Sequence, residues 1–181
     1  MPVDTRLTYE DFRLLPNNGK RYEIVEGDLL VTPAPRRLHQ RIVTRLTRFL
    51  SAYVDDHQLG EVFVSPFDVV FSPFDVVEPD VVYVSNARES LLTEMNAQGA
   101  PDLVVEVLSE TTEKTDRTIK LKLYGKFGVQ EYWMIDPEAP SAEIYRRGPE
   151  GLDLVAKLAS ADALTSPLFP GFNLPLSRLT D

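Results

Sequence analysis

Apolar positions follow two periods along this chain. Between residues 37 and 55 they recur three and four apart. His39, Ile42, Val43, Leu46, Phe49, Leu50 and Tyr53 share one face, which predicts an amphipathic helix over Arg37–Asp55. Elsewhere, short valine-rich runs bounded by turn residues predict strands. Arg21–Val31 reads as a hairpin turning near Glu26-Gly27-Asp28, with Tyr22 and Ile24 on one face and Glu23 and Val25 on the other. Glu61–Phe71 reads as a strand containing Pro66, and Glu78–Val84 as another. Ala142–Arg146 and Leu152–Lys157 read as a second hairpin. Thr8 is placed to cap a short helix, Tyr9–Leu15, with Asp11 near its third position. The span 86–98 is polar and weakly helical. The proline-rich tail after residue 165 is expected to pack as short extended pieces.

The pattern is densest over Pro101–Pro137, which reads strand, helix, strand. Leu103–Leu108 is an apolar run too short for a helix, and Gln130–Ile135 is the next strand. Ser109, Thr111 and Thr112 offer N-caps between them, and Gly128 stands where a left-handed C-cap belongs. At about 100° per residue, Asp116, Lys120, Leu123, Tyr124 and Phe127 lie on one helix face, whereas Lys122 points away.

Three polar residues break this pattern. Glu106 interrupts a strand expected to be buried, and Asp80 shares a face with Val82 and Val84. Lys120 sits in the inward stripe. A buried carboxylate costs several kcal/mol unless paired or metal-bound. The structural reading of Lys120 is a snorkelling or salt-bridged lysine, with Asp116 as partner. Glu23, a lone glutamate on a hairpin, is expected to be exposed. His39 opens the apolar face of the long helix, where a histidine is ordinarily a hydrogen-bonded core residue. Arg37, Arg41, Arg45 and Arg48 form a stripe on another face of that helix, ordinarily a solvated one.

Composition narrows the chemistry. The 181 residues give room for one domain with a substantial core. A net charge of −9 argues against a surface coated with phosphate-binding residues but leaves room for a local basic strip or an acidic metal site. Cysteine is absent and histidine occurs twice, so any metal site must be mostly oxygen, which favours Mg²⁺, Ca²⁺ or Mn²⁺. No signal peptide or membrane span is legible, and a cytoplasmic protein is expected.

Two carboxylates and an inward lysine suit metal-assisted phosphodiester hydrolysis. The acids hold a hard cation that polarises the phosphate and acidifies a water. The lysine neutralises charge as it builds.

The chain also resembles the Uma-type family of bacterial endonucleases, within the PD-(D/E)XK nuclease superfamily. The matching phrases are YEIVEG at 22–27, the proline-rich turn leading to His39, EPDVVYVS at 78–85 and APDLVVEVLS at 100–109. Asp116, Lys120 and Tyr124, GVQEYWMIDP at 128–137 and LFPGFNLPL at 168–176 complete the match. The resemblance implies an α/β (α+β) restriction-endonuclease-like fold, a mixed β-sheet flanked by helices. It implies Asp80 and Glu106 as ligands of Mg²⁺ or Mn²⁺, Lys120 as catalytic lysine, Glu23 as a further acid and His39 nearby. One departure stands out. The simple motif places lysine two residues after the acid, where this chain has Leu108, so the lysine must have moved onto the helix.

The expected activity is a Mg²⁺-dependent endonuclease acting on nucleic acid, with DNA as the expected partner and Arg37, Arg41, Arg45 and Arg48 as backbone contacts. Cutting both strands needs two sites, so a homodimer or higher homo-oligomer is expected. The alternatives are a catalytically inactive nucleic-acid-binding or assembly module on the same fold, and a hydrolase of smaller phosphodiesters.

Overall fold

The computed structural model describes residues 6–180. In chain order, the elements up to the main strand are α1 (Tyr9–Phe12), β1 (Arg21–Val25), β2 (Asp28–Thr32), α2 (Arg37–Asp56), β3 (Gly60–Val64), β4 (Asp68–Ser72), β5 (Asp75–Val77), β6 (Val81–Ser85), β7 (Asn96–Gln98) and β8 (Leu103–Val107). A helix follows in three parts: α3 (Glu113–Thr115), a π turn (Asp116–Lys120) and α4 (Leu121–Phe127). β9 (Glu131–Asp136), β10 (Ser141–Arg147), β11 (Leu152–Ala159), β12 (Ala163–Ser166), β13 (Phe169–Pro175) and α5 (Ser177–Thr180) complete the chain.

A six-stranded sheet ordered β11-β10-β9-β8-β6-β3 lies at the centre. Its β8–β9 pair is parallel and the rest are antiparallel. A parallel neighbour requires a crossover, and the helix over 113–127 supplies it. A second sheet, β2-β1-β5-β4-β7, is also mixed, because β4 and β7 run parallel.

Alternation divides the central sheet between two cores. Leu103, Val105, Val107, Trp133 and Ile135 face α2 and the β12–β13 hairpin. On that side α2 buries Ile42, Val43, Leu46, Leu50 and Val54, each contributing roughly 1.5–3 kcal/mol. Val104, Tyr132 and Met134 face α4 and the second sheet. Glu106 falls on this second side, between Val104 and the crossover helix.

Several boundaries differ from the sequence reading. Glu61–Phe71 is not one strand: it breaks at Ser65-Pro66 into β3 and β4, which join different sheets. Proline has no N–H to give a ladder. The polar span 86–98 holds a 3₁₀ turn, Asn86–Leu91, and the strand β7. The tail is more regular than its prolines suggest, since β13 runs seven residues and pairs with β12. Thr8 caps α1 in a capping box with Asp11, although the helix ends at Phe12.

Candidate active site

Register brings the first two acids together. β6 and β8 pair antiparallel, with Val81 opposite Val105 and Val82 opposite Val104. Carried one residue further, the same register sets Asp80 opposite Glu106. β1 brings Glu23 to the other side of the group through its pairing with β5. The alternation of Glu23 with Val25 is a burial pattern: Glu23 is 2% exposed, not solvated as its isolation in sequence suggested.

Lys120 lies at the centre of these acids and is 1% exposed. Its Nζ is 2.8 Å from Glu106 Oε1, 2.9 Å from Glu23 Oε2 and 3.5 Å from Asp116 Oδ1. The π turn containing Asp116 and Lys120 inserts an extra residue into the helix, a distortion frequent at functional sites. One turn on, the Tyr124 hydroxyl donates to Glu106 Oε1 at 2.9 Å. The Tyr132 hydroxyl donates to the Asp116 carbonyl, and its ring meets that of Tyr124 edge-on at 4.9 Å. Lys122 is exposed. The lysine is therefore salt-bridged, as the structural reading required, but to three acids rather than to Asp116 alone.

Asp80 has a different set of partners. Its Oδ1 accepts from Arg21 Nη1 at 2.8 Å, and its Oδ2 accepts from the Val107 N–H at 2.8 Å. Oδ2 also lies 3.1 Å from His39 Nε2. His39 thus projects from the apolar face of α2 to the carboxylate, while its Nδ1 is buried without a partner among the described residues.

The electrostatics separate the two acids. Burial alone would raise Asp80, but the His39 hydrogen bond and the Arg21 charge hold it down at about 2. Burial pushes Glu106 up to about 8; Lys120 opposes this, while the Asp116 and Asp80 charges add to it. Burial likewise raises Asp116. Burial would strip the proton from Lys120, but Glu106, Glu23 and Asp116 outweigh it and keep the ammonium charged. Three carboxylates surround one ammonium, so the group retains a proton near neutral pH. The tendency to hold a proton extends outward, since burial and then the neighbouring Asp68 and Glu23 raise Glu78 to about 7.

The donor chemistry fits a hard divalent cation. Hard oxygens dominate, Asp80 and Glu106 stand opposite each other, and the excess negative charge is of the kind a cation relieves. Among the described residues, however, no three His, Asp or Glu side chains are arranged together to hold an ion. Arg21 and Lys120 already engage the oxygens. The site opens through Asp80, His39 and Arg21 onto a cleft of about 590 Å³. Glu110, Glu113, Asp136 and Glu138 also line this cleft, as do Arg36 and the start of α2.

The structure therefore groups Asp80, Glu106, Lys120, Glu23 and His39. It does not bring the arginine stripe to them as a unit. Arg41 donates to the Thr180 carbonyl and Arg45 to that of Leu179, so both hold the C-terminal turn. Arg37 and Arg48 are exposed, and Arg48 lies over the Phe49 ring. Sequence reasoning missed Arg21. The signal was present: on a strand of period two, Arg21 shares its face with Glu23.

A mixed sheet with opposed acids at its strand ends and a lysine on the crossover helix places the molecule in the nuclease-like α/β class. The family model Uma2, described as "Putative restriction endonuclease", matches residues 9–177, and the chain belongs to that family. Two proteins of Synechocystis sp. (strain ATCC 27184 / PCC 6803 / Kazusa) are similar in sequence. Uncharacterized protein sll1609 is 25% identical over 80% of this chain and 82% of its own length. Uncharacterized protein slr1290 is 24% identical over 80% and 76%. A solved structure from Anabaena variabilis, described as "a putative nuclease belonging to DUF820", shares the fold. Its TM-score is 0.79 at 21% identity, covering 96% of this chain and 97% of that one.

Proposed function

We propose that this chain is a Mg²⁺- or Mn²⁺-dependent endonuclease that hydrolyses phosphodiester bonds of nucleic acid, with DNA as substrate. The observation that carries the reading is the buried Lys120 held by Glu106 and Glu23 behind a cleft whose lining includes the buried Asp80. Asp80 and Glu106 would hold the cation, which when bound polarises a phosphate and lowers the pKa of a water. Lys120 supplies a fixed positive charge for the phosphate as its charge builds. Glu23 and Asp116 position that ammonium, and Tyr124 orients Glu106. His39 holds Asp80 ionised.

Arg37 and Arg48, exposed on α2, are the members of the stripe free to meet backbone phosphates. Cutting both strands requires two sites, which favours a homodimer; sedimentation at working concentration tests it. No helix among the described residues is long and apolar enough to cross a membrane. The working setting we propose is the cytoplasm.

The decisive experiment pairs calorimetric titration of Mn²⁺ with cleavage of plasmid DNA. Binding lost in Asp80→Asn, together with Mn²⁺-dependent cleavage lost in Lys120→Met, supports the reading. Cleavage that persists in Lys120→Met sinks it. One observation favours a second reading, a binding or assembly module without activity: every described acid of the site is already ion-paired or hydrogen-bonded, and the cleft wall is acid-rich. Metal-independent DNA binding with no cleavage under any divalent ion would select that reading.

A further inference from the structure

Arg21 belongs to the site in a way the ligand set alone does not explain. Its Nη1 donates to Asp80 Oδ1 at 2.8 Å and to the Glu78 carbonyl at 3.2 Å. The negative charges that act on its guanidinium are those of Glu106, Glu23 and Asp80. Two of these, Asp80 and Glu106, are the carboxylates proposed to hold a divalent ion. The side chain is 16% exposed and lines the cleft from which an ion would arrive.

A guanidinium that serves only to tie two strands ordinarily satisfies its donors. Here Nε is buried and has no partner among the described residues. Asp80 accepts from Arg21 through one oxygen only, because the Val107 N–H and His39 occupy the other. The pair is thus a single hydrogen bond and not the two-pronged clamp typical of a structural arginine–carboxylate bridge.

We infer that the Arg21 guanidinium occupies the cation position at Asp80, and that a divalent ion binds only by displacing it from Asp80 Oδ1. This rests on Asp80 and Glu106 being the cation ligands. It also accounts for the absence of a ready-made three-ligand cage among the described residues: the oxygens are turned to internal cations. The strand that delivers Glu23 delivers its competitor two residues earlier. Asp80 Oδ1 thereby stays paired with an internal cation until an ion of higher charge replaces that singly charged group.

The test is Mn²⁺ affinity, measured by calorimetry on wild type, Arg21→Gln and Asp80→Asn, with thermal unfolding as a check on folding. Arg21→Gln is expected to bind Mn²⁺ about tenfold tighter or more, and Asp80→Asn to lose binding. In wild type, the side-chain Nε–H resonance of Arg21 is expected to shift as Mg²⁺ saturates the site; this reading does not depend on any variant folding. Arg21→Gln with wild-type affinity, or an Nε–H resonance unmoved at saturating Mg²⁺, overturns the inference while leaving the cation site intact. Absence of Mn²⁺ binding from every folded form overturns both.

Discussion

The two ends of β8 each bury an acid, and they treat it in opposite ways. At the entrance, Asp102 accepts from the Ser85 N–H at 2.8 Å and pairs with Arg88 at 3.3 Å. There one carboxylate meets one cation, and Arg88 continues to the Ala100 carbonyl. At the exit, Glu106 shares a single ammonium with Glu23 and Asp116. The entrance is balanced and the exit carries surplus acid. A fold gains nothing from surplus buried carboxylate, since each costs several kcal/mol unless compensated. On the proposed function, the difference separates a buried acid that serves the fold from buried acids that serve chemistry.

The comparison breaks most directly at the cations. Lys120→Met leaves three buried carboxylates facing each other and should cost about 3–5 kcal/mol at pH 8. It should also lower turnover by about 10²-fold or more with little change in DNA binding, whereas Lys122→Met leaves both unchanged. Arg88→Met, at the entrance, should cost less, about 1–3 kcal/mol, because Asp102 keeps the Ser85 N–H. Thermal unfolding and steady-state cleavage read these outcomes. Equal destabilisation at both ends would erase the distinction.

Substituting the acids should give opposite signs. Asp102→Asn should lose about 1–3 kcal/mol, because a charged acceptor is removed from matched donors. Glu106→Gln keeps an acceptor for Lys120 and Tyr124 while removing surplus charge, so chemical denaturation at pH 8 should show equal or higher stability. A clear loss at 106 would mean that the exit is balanced as well.

The two ends also differ in pH dependence. Glu106 is raised from 4.5 to about 8, so the folded chain holds more protons than the unfolded chain in that window. Stability should therefore fall as pH rises from about 4.5 to about 8 and level off above it. Glu106→Gln should flatten this slope in denaturation midpoints taken across the range, and Asp102→Asn should not.

The smallest effect is expected at the surface of α2, remote from both ends. Changing Arg37 and Arg48 to glutamine should flatten log affinity for duplex DNA against log salt by about 0.9 per lost phosphate contact. Changing Arg41 and Arg45 should instead lower the melting temperature slightly, because they hold C-terminal carbonyls. Salt-dependent filter binding and thermal melts separate the two pairs.

Much of this was legible beforehand. Helical phase placed Lys120 inside and Lys122 outside, and alternation committed Asp80 and Glu106 to apolar faces. Period-two patterning survives in sequence because a buried face admits few polar residues. Less was legible for Glu23, because burial of a hairpin residue depends on which sheet covers it, and β1 reaches its neighbour β5 only through a long-range pairing. The capping role of Arg41 and Arg45 was hidden for a similar reason. Their partners are carbonyls at the far end of the chain, and a backbone carbonyl carries no residue-specific mark. The π turn was also invisible, since its extra residue leaves no compositional trace.

The chain distance between the lysine and its acids has a kinetic consequence. Glu106 and Lys120 are fourteen residues apart, joined by one crossover, whereas Glu23 belongs to the other sheet. Loop-closure entropy favours the short connection first. The ammonium should therefore acquire Glu106 while still wet and lose its water only when the N-terminal hairpin arrives. Folding kinetics should then show a larger φ-value for conservative substitutions in β8 and α4 than in β1. The order matters for how a charged lysine comes to be buried at all. On that order it would never be desolvated alone, because an anion would already be beside it when the last water leaves.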